Sequence, residues 1–378
     1  MNINAQLPSD HRPYTDKYFL RTNDIFKRAG INPLVSIKVF ARGTGRVAGL
    51  KETVEVIKRY SDLHQHNGEV WITKKGTFTT TDTLLVIKAP VQSIVELETM
   101  YLGVLSHHLT VESKYKIPDP EKIQQKMLRL KEIYENKNII YFGARHYHWS
   151  FDKEIAAAAF AGGANQTSTD IGSSHIRKEG VGTMPHILIL VLASVYGKEQ
   201  AVLKAVELFD MYIPEDIPRV TLVDTFNREI TDSLRVARYF ETRKHALRID
   251  TCGENIGEGG TRYYEGNEID PTYKTGKGVT IELVSNVKMG LIKSGYGDSA
   301  DIFLSSGFGN EKKARAFMDA DKMFKQKTGY ALFTGVGIGE VSEGGFATAD
   351  VFEVDNKPLA KTGREIDSID YSRFERII

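Results

Sequence analysis

The feature that most constrains the fold of this chain is a rhythm in its second half. Short apolar runs each end in a small cluster of polar residues or glycines, and helical segments such as KEQAVLKAVELFD lie between them. The runs are IIYFGARH, AGGANQTSTD, VGTMPH, RVTLVDT, HALRIDT, ADIFLSSGFG and YALFTGVGIG. One unit per ~30 residues is the spacing of strand–helix repeats. The rhythm predicts an α/β fold with a closed or nearly closed barrel, whose active site lies at the carboxyl ends of the strands. An open doubly wound sheet is the alternative.

The rest of the chain predicts a second structural unit. The alternating run at 33–42 and three short strand-like pieces, with helical segments around them, are typical of an α/β sandwich domain, which we place at residues 1–118. The barrel then occupies residues 119–344. In residues 345–378, TADVFEVDNKPLAK alternates again around an Asp-Asn turn. This pattern predicts a β-hairpin that returns to the sheet of the sandwich domain.

Composition excludes several classes of protein. The chain carries 50 Lys and Arg against 49 Asp and Glu, so it lacks the basic field that nucleic-acid and membrane-surface proteins need. Cys252 is the one cysteine, which rules out an intrachain disulfide and leaves almost no basis for a cysteine-based zinc site. No signal-peptide pattern is visible, and the longest apolar run, Ile187 to Val195, is far shorter than the ~20 residues of a spanning helix. We expect a soluble, cytoplasmic enzyme.

His186 is the first candidate for chemistry. It follows Gly-Thr-Met-Pro, and proline suits the first position of a helix, so His186 is expected in the first helical turn. A helix N-terminus favours negative charge, so a histidine there either accepts a phosphoryl group or simply caps the helix. Asp224 stands at another strand end and is expected to orient the second ring nitrogen.

Further patterns indicate anion binding at the same rim. Arg248 and Asp250 are two residues apart on a predicted strand and share one face. At the barrel rim, this cation and carboxylate are expected either to bind an anionic substrate and a ribose diol or Mg²⁺, or to form an ion pair with each other that stabilises the fold. The glycine-rich ends SSGFG and TGVGIG indicate a phosphate site or, equally, two tight turns. His146 and His148 share a strand face, but no third metal ligand has matching spacing.

Together these pieces resemble the short form of the nicotinate phosphoribosyltransferase family, which is related to the nicotinamide and quinolinate phosphoribosyltransferases. The resemblance covers about residues 10 to 365, with the motifs in the family's order. They are TDKY, FARGTGRVAG, FGARH, VGTMPH, VDTF, RIDT, SSGF, TGVGIG and VFEVDNKPLAK. Each motif is short, and their shared order makes the resemblance specific.

The resemblance implies a fold, a reaction and partners. The fold is an irregular, TIM-like α/β barrel with an N-terminal open-faced α/β sandwich. The reaction transfers the phosphoribosyl group of 5-phosphoribosyl 1-diphosphate to nicotinate, which gives nicotinate mononucleotide and diphosphate for NAD biosynthesis. Mg²⁺ assists it, and ATP as co-substrate is coupled to it through a phosphohistidine. Family members are homodimers with shared active sites, so small molecules and a second copy are the expected partners, and nucleic acid and membranes are not.

The resemblance also implies roles for individual residues. Phe142 and Tyr18 of the partner subunit are expected to sandwich the pyridine ring, with Arg145 beside its carboxylate. The implied catalytic positions are the phosphorylated His186, its partner Asp224, and Asp250, which reaches the ribose hydroxyls or the metal. The implied positions for 5-phosphoribosyl 1-diphosphate are Arg42, Arg248, Thr251, Ser305, Ser306, Gly307, Gly335 and Gly337, with Arg42 reaching across the dimer interface.

One position addresses the choice of pyridine. The related nicotinamide enzymes carry an aspartate 26 residues after the phenylalanine that matches Phe142, and here that position is Ser168. A serine does not repel a ring carboxylate, whereas an aspartate does, so Ser168 favours nicotinate. Asp170 lies only two residues further on, and a register shift of two reverses the argument.

Other functions stay open on the sequence alone. A nicotinamide or quinolinate phosphoribosyltransferase is the nearest alternative, although a quinolinate enzyme needs more cations around the ring than Arg145. A non-catalytic barrel that senses a phosphosugar or nucleotide is the second, and an unrelated aldolase or isomerase barrel is the third. The glycine-rich segment 252–278 matches nothing in the family and is expected to be a mobile lid or a surface insertion.

Overall fold

The computed structural model describes residues 6–115, 119–263, 272–365 and 368–378. It is a mixed α/β structure with one antiparallel and one parallel six-stranded sheet, and a two-stranded ribbon. The predicted fold class, an α/β barrel beside a sandwich domain, is confirmed. The domain boundary predicted at residue 118 lies outside the described residues, so the division into domains stays a prediction.

Helices and strands succeed one another along the chain. The first part contains α1 (Lys17–Ala29), β1 (Leu34–Ala41), β2 (Gly45–Arg46), α2 (Leu50–Tyr60), β3 (Glu69–Thr73), β4 (Thr77–Phe78), β5 (Thr83–Pro90), α3 (Val91–Ile94) and α4 (Glu98–Glu112). The second contains α5 (Pro120–Tyr134), β6 (Asn138–Tyr141), α6 (Asp152–Ala161), β7 (Gln166–Thr167), α7 (Asp170–Ser173), α8 (His186–Tyr196), α9 (Ala201–Tyr212), β8 (Val220–Leu222), α10 (Glu229–Phe240), β9 (His245–Ile249), α11 (Ile281–Lys293), β10 (Ala300–Leu304), α12 (Glu311–Thr328) and β11 (Gly335–Ile338). The last part contains β12 (Ala347–Val354), β13 (Lys357–Pro358) and β14 (Phe374–Arg376).

The antiparallel sheet combines both ends of the chain. Its strand order is β13-β12-β1-β5-β3-β14, so three strands that follow the barrel complete the sheet begun by the first part. β12 pairs with β1 and turns into β13 through Asp355 and Asn356, both at positive φ, which is the geometry of a tight two-residue hairpin turn. The predicted return of the C-terminal hairpin to this sheet is confirmed.

The parallel sheet has the order β7-β6-β11-β10-β9-β8 and curls into an incomplete barrel. The prediction of a strand at VGTMPH is wrong, because these residues form an irregular extended segment between β7 and β8. The N–H of Val181 donates to the carbonyl of Thr167 at 2.8 Å, and the hydroxyl of Thr183 donates to the carbonyl of Val220. Gly182, at a φ of +127°, and the proline that follows Met184 do not permit a regular ladder here.

Helix α4 packs directly against the loop that follows the first barrel strand. A Cβ at Gly103 would lie 2.3 Å from the carbonyl oxygen of Tyr147, so only glycine permits this approach. The hydroxyl of Ser106 donates to the carbonyl of Arg145 at 3.1 Å. A 3₁₀ turn at Val95–Leu97 separates α3 from α4, which begins at Glu98. The sandwich domain therefore helps to position Arg145.

The longest apolar run of the sequence forms a buried helix. Residues Ile187 to Ala193 of α8 are all buried, and α8 packs against α9. In the described parts of the chain no single helix is long and apolar enough to cross a membrane. Helices α8 and α9 meet that test only together, as a pair bent by 110°.

Candidate active site

A cavity of about 880 Å³ opens where the carboxyl ends of the barrel strands face the antiparallel sheet. Its volume lies within the ~300–1,000 Å³ of small-molecule sites. The predicted residues that line it are Tyr18, Arg42, Phe142, Arg145, His186, Arg248, Asp250, Ser305, Ser306, Gly307 and Gly337. The predicted residues outside its wall are Ser168, Asp224, Thr251 and Gly335. The strand ends thus converge on one site, as the barrel rhythm predicts.

Two aromatic residues mark one end of this cavity. The ring centroids of Tyr18 and Phe142 in the same chain are 6.2 Å apart, and the ring planes are tilted by 39°. A ring stacked between them requires parallel planes about 7 Å apart, because each contact takes about 3.5 Å. The same-chain pair therefore leaves no room for a ring stacked between the two residues, and the expected sandwich with Tyr18 of the partner subunit stays a prediction. Phe142 instead lies over Gly337, where a Cβ would come within 3.0 Å of the ring.

Arg145 shares this end with a carboxyl group that sequence reasoning missed. Oε1 of Glu98 lies 3.7 Å from Nη1 of Arg145, and both side chains line the cavity. The Glu98 side chain is only 14% exposed. Burial raises the pKa of Glu98 to about 8, although the charge of Arg145 lowers it. No sequence signal marks Glu98, because its position depends on the packing of α4 against the barrel. We call Tyr18, Glu98, Phe142 and Arg145 the ring end.

His186 begins α8, as expected, and one of its ring nitrogens faces three charged groups. Nε2 lies 2.9 Å from Nζ of Lys361, 3.6 Å from Oδ2 of Asp250 and 3.8 Å from Oδ2 of Asp224. Nδ1 lies 3.2 Å from Oγ1 of Thr225. Because an ammonium only donates, we assign the ring proton to Nδ1 and the lone pair to Nε2. Burial and the charge of Lys361 lower the pKa of His186, which favours the neutral ring.

Asp224 contacts a lysine more closely than it contacts the histidine ring. Oδ2 of Asp224 lies 3.8 Å from Nε2 of His186, while Thr225 lies at Nδ1, and the role of Asp224 in orienting the ring stays a prediction. Its fully buried carboxylate lies 2.5 Å from Nζ of Lys361, which also donates to the carbonyl of Asp250 at 2.9 Å. Burial lowers the pKa of Lys361, but Asp224 and Asp250 raise it more, so the ammonium stays charged. The sequence contains Lys361 in the motif VFEVDNKPLAK, but spacing alone assigned it no chemistry.

Arg248 and Asp250 share one face at the end of β9, as their spacing predicts. Nη2 of Arg248 lies 3.7 Å from Oδ2 of Asp250, and both side chains line the cavity. Burial raises the pKa of Asp250, but the positive charges of Arg248 and Lys361 lower it more. Its pKa therefore lies well below the usual value, and Asp250 is an ionised carboxylate.

Asp250 is also the residue that suits Mg²⁺. In the described residues no group of three or more histidine, cysteine or carboxylate side chains would hold a metal ion by itself. Mg²⁺ is commonly held by one or two carboxylates together with substrate phosphates and water. The ionised carboxylate of Asp250 faces the cavity and fits that role, whereas Asp224 is already paired with Lys361.

The glycine-rich loop after β10 presents a buried cation to the cavity. Ser306 and Gly307 both have positive φ, 73° and 81°, which turns the loop towards α12. Nζ of Lys313, in the first turn of α12, donates to the carbonyl of Ser306 at 2.9 Å. Burial lowers the pKa of Lys313 to about 8, and the charge of Asp250 raises it. Sequence reasoning named this loop but missed Lys313.

The remaining predicted residues have structural contacts. The carbonyl of Ser168 accepts from the N–H of Lys17, and Asp170 pairs with the ammonium of the same lysine at 2.8 Å. Neither Ser168 nor Asp170 lines the cavity, so the structure shows no contact between these residues and a pyridine bound there. Thr251 donates to the carboxyl group of Glu229 at 2.7 Å. A Cβ at Gly335 would lie 2.6 Å from the ring of Phe303, so packing requires this glycine.

His146 and His148 take part in separate contacts. Nδ1 of His146 lies 3.0 Å from the carbonyl oxygen of Gly339. Nε2 of His148 lies 2.8 Å from Glu52, whose other oxygen is 2.7 Å from Nε2 of His108. These histidines join loops and helices and do not face each other across a metal site.

The described part of segment 252–278 forms one wall of the cavity. Cys252, Tyr273 and Lys277 line it, so an insertion confined to the outer surface is wrong. Oε1 of Glu254 lies 3.6 Å from Nη1 of Arg42, which joins this wall to the antiparallel sheet of the same chain. Residues 264–271 of the segment lie outside the described residues, and the predicted lid stays a prediction.

Comparison with known proteins supports the observed architecture. Residues 16–109 match the family described as "Quinolinate phosphoribosyl transferase, N-terminal domain". The nicotinate phosphoribosyltransferase of Porphyromonas gingivalis is similar in structure, with a TM-score of 0.63 and 15% identity over 94% of both chains. A protein of Saccharomyces cerevisiae described as a candidate nicotinate phosphoribosyltransferase gives a TM-score of 0.65, again with 15% identity over 94% of both chains. At this identity the likeness concerns the fold.

Proposed function

We propose that this chain, whose fold is similar to those of nicotinate phosphoribosyltransferases, is an enzyme of NAD biosynthesis that transfers a phosphoribosyl group. The donor is 5-phosphoribosyl 1-diphosphate and the acceptor is nicotinate. The products are nicotinate mononucleotide and diphosphate. A homodimer with shared active sites and a cytoplasmic location are part of the proposal and rest on the family resemblance alone.

One observation carries the proposal: a single cavity offers separate sites for an aromatic acid and a phosphate around one ionised carboxylate. Phe142 and Arg145 suit a flat ring with a negative substituent. Lys313 and the loop at Ser306 suit a phosphate. Asp250 lines the same cavity, and its negative charge opposes the burial that lowers the pKa of Lys313.

The chemistry requires positioning and charge more than a strong base. The pyridine nitrogen forms a bond to the anomeric carbon, while the bond from that carbon to the diphosphate oxygen breaks and diphosphate leaves with the electron pair. Positive charge develops on the sugar, and the ionised carboxylate of Asp250 is suited to stabilise it. Arg42 and Arg248 line the same cavity and are suited to bind the departing diphosphate.

We propose that Asp250 also holds Mg²⁺ together with oxygens of the substrate. The metal would supply positive charge that offsets the charge of the leaving diphosphate. Arg248 would then keep the carboxylate of Asp250 directed into the cavity, since the two side chains are already 3.7 Å apart.

ATP coupling forms a further part of the proposal. The lone pair of Nε2 of His186 would attack the terminal phosphorus of ATP, and the bond to the bridging oxygen would break to release ADP. The position of His186 at the start of α8 supports this role, because a helix N-terminus stabilises a bound phosphoryl group. Lys361 would change partner from Nε2 to the new phosphoryl oxygens.

Nicotinamide is the second candidate acceptor, and Glu98 is the observation that favours it. When Glu98 is ionised, its carboxylate, 3.7 Å from Arg145, is able to accept a hydrogen bond from an amide NH₂, which a ring carboxylate cannot donate. Ser168 no longer decides between the two, because it lies outside the cavity wall.

A product assay tests the proposal. Purified protein is incubated with 5-phosphoribosyl 1-diphosphate, Mg²⁺ and nicotinate, nicotinamide or quinolinate in turn, with and without ATP. We expect nicotinate mononucleotide as the main product, formed faster with ATP. Product from another pyridine alone would keep the transfer reaction and overturn the choice of nicotinate. No mononucleotide under any condition would overturn the transferase and favour a sensor of phosphorylated sugars.

A further inference from the structure

The ring end of the cavity contains one cation and one carboxyl group in contact. Arg145 is held by its backbone, since its carbonyl accepts from Ser106, and Glu98 is fixed as the first residue of α4. Their side chains lie 3.7 Å apart, and both face the space beside Phe142. A substituent on a ring stacked against Phe142 would therefore meet both groups, and their combined charge would decide which substituent is accepted.

We propose that Glu98 determines which pyridine this site accepts, because it sets the net charge that Arg145 presents to the substituent on the ring. This inference rests on the proposed function and assigns selectivity within it. The residue assigned to pyridine selectivity is then Glu98, which lines the cavity, and not Ser168, which does not.

The two protonation states of Glu98 favour different substituents. When Glu98 is protonated, Arg145 keeps its full positive charge, and the carboxylic acid donates a hydrogen bond to a ring carboxylate. When Glu98 is ionised, it offsets the charge of Arg145, repels a ring carboxylate and accepts from an amide NH₂. The neutral state therefore favours nicotinate and the ionised state favours nicotinamide.

The surroundings of Glu98 make both states accessible near neutral pH. The groups that face it are Asp16 before α1, Tyr18 in α1, Tyr101 in α4, Arg145 after β6 and Asp350 in β12. Burial raises the pKa of Glu98, Arg145 lowers it, and the carboxylates of Asp16 and Asp350 raise it, which gives a value of about 8. Selectivity is therefore expected to shift from nicotinate towards nicotinamide as the pH rises through this value.

Steady-state kinetics of the full-length protein test the inference. The KM for nicotinate and the KM for nicotinamide, or its inhibition constant if it only competes, are measured from about pH 7 to pH 9. For the unmodified protein we expect the KM for nicotinate to rise about threefold to tenfold over this range, and the constant for nicotinamide to stay level or fall. The kcat is expected to change little, because Glu98 does not touch the reacting atoms.

Glu98→Gln removes the titrating group and keeps the shape of the side chain. We expect a low KM for nicotinate at every pH. The ratio of the constants for nicotinate and nicotinamide should no longer change with pH. Glu112→Gln is the matched control, because Glu112 is exposed at the other end of the same helix. It should keep the pH dependence of the unmodified protein. The pH profile of the unmodified protein gives an independent test if Glu98→Gln does not fold.

Three outcomes would overturn the inference. If the constants for nicotinate and nicotinamide in Glu98→Gln depend on pH as they do in the unmodified protein, another group sets selectivity. A flat KM for nicotinate in the unmodified protein, with product still formed, would leave the transfer reaction intact and remove the role of Glu98. Absence of any mononucleotide from either pyridine would overturn the proposed function together with the inference.

Discussion

The ammonium of Lys361 lies 2.9 Å from Nε2 of His186, so the nitrogen proposed to accept a phosphoryl group is covered by a cation. The same ammonium lies 2.5 Å from the buried carboxylate of Asp224. Lys361 follows the hairpin of the antiparallel sheet, whereas His186 and Asp224 belong to the barrel. One side chain thus joins the two sheets at the site, and it either shields Nε2 or serves as a counter-charge for a phosphoryl group.

The Lys361–Asp224 pair should contribute strongly to stability. Lys361→Met leaves the buried carboxylate of Asp224 without its counter-charge, and we expect a loss of about 3–5 kcal/mol in the free energy of unfolding. The double variant Lys361→Met/Asp224→Asn removes both charges and should lose less than the sum of the single variants. Chemical denaturation at neutral pH measures these values. Lys357→Met, at an exposed position of the same hairpin, is the control. Additive losses would contradict a direct pair.

His186→Ala should separate ATP coupling from phosphoribosyl transfer. The variant lacks the nitrogen proposed to accept the phosphoryl group but keeps Phe142, Asp250 and the phosphate loop. We expect some basal formation of mononucleotide and no stimulation by ATP. Initial rates with and without ATP measure this. Stimulation equal to that of the unmodified protein would show that the phosphohistidine proposal is wrong.

Asp250→Ala should remove most of the activity and leave the fold intact. Its carboxylate is ionised, faces the cavity and is the proposed ligand of Mg²⁺, so we expect kcat/KM to fall by about 10²–10³-fold. Circular dichroism checks the fold of the variant. Asp319→Ala, an exposed position on α12, is the control for loss of a carboxylate. Turnover at the rate of the unmodified protein would contradict the assigned site.

Lys313 should bind the phosphate of the phosphoribosyl donor in its charged form. Lys313→Met removes a buried ammonium that contacts the loop at Ser306, and we expect the KM for the donor to rise about tenfold, as for a lost charged hydrogen bond. The pKa of Lys313 is about 8, so in the unmodified protein this KM should also rise as the pH increases through that value and the ammonium loses its charge.

The exposed neighbour Lys312→Met provides the control for Lys313, because it removes the same charge from the same helical turn. It should keep both the KM for the donor and its pH dependence. The effect is distinct from that of Glu98, which concerns the KM for the pyridine. Equal changes in Lys312→Met and Lys313→Met would point to the general charge of α12 and against a phosphate contact.

Local patterns in the sequence predict most of the fold. The alternating run at 33–42 becomes β1, and the run after Pro185 becomes α8, because side-chain periodicity depends on near neighbours. VGTMPH looks like a strand end but is not a strand, since its hydrogen-bond partners, Thr167 and Val220, are set by the gap in the barrel. The backbone of Gly182, at a φ of +127°, prevents these residues from forming a regular strand.

Residue spacing predicted the part of the site that lies at the ends of the barrel strands. Asp250 and Ser306 follow parallel strands, whose carboxyl ends meet by topology. Glu98 and Lys361 come from the sandwich side, and their approach depends on the packing of the antiparallel sheet against the barrel. Ser168 is the opposite case. Its spacing from Phe142 predicted a role in the site, but it lies outside the cavity wall.

The most direct test of the proposed transfer is the stoichiometry of its two products. The protein is incubated with nicotinate, 5-phosphoribosyl 1-diphosphate and Mg²⁺, and nicotinate mononucleotide and diphosphate are quantified in the same reaction. We predict equal amounts of both, no diphosphate when nicotinate is omitted, and formation of both products slowed by about 10²–10³-fold in Asp250→Ala. Diphosphate released without mononucleotide, or no reaction at all, would contradict phosphoribosyl transfer to nicotinate in this cavity.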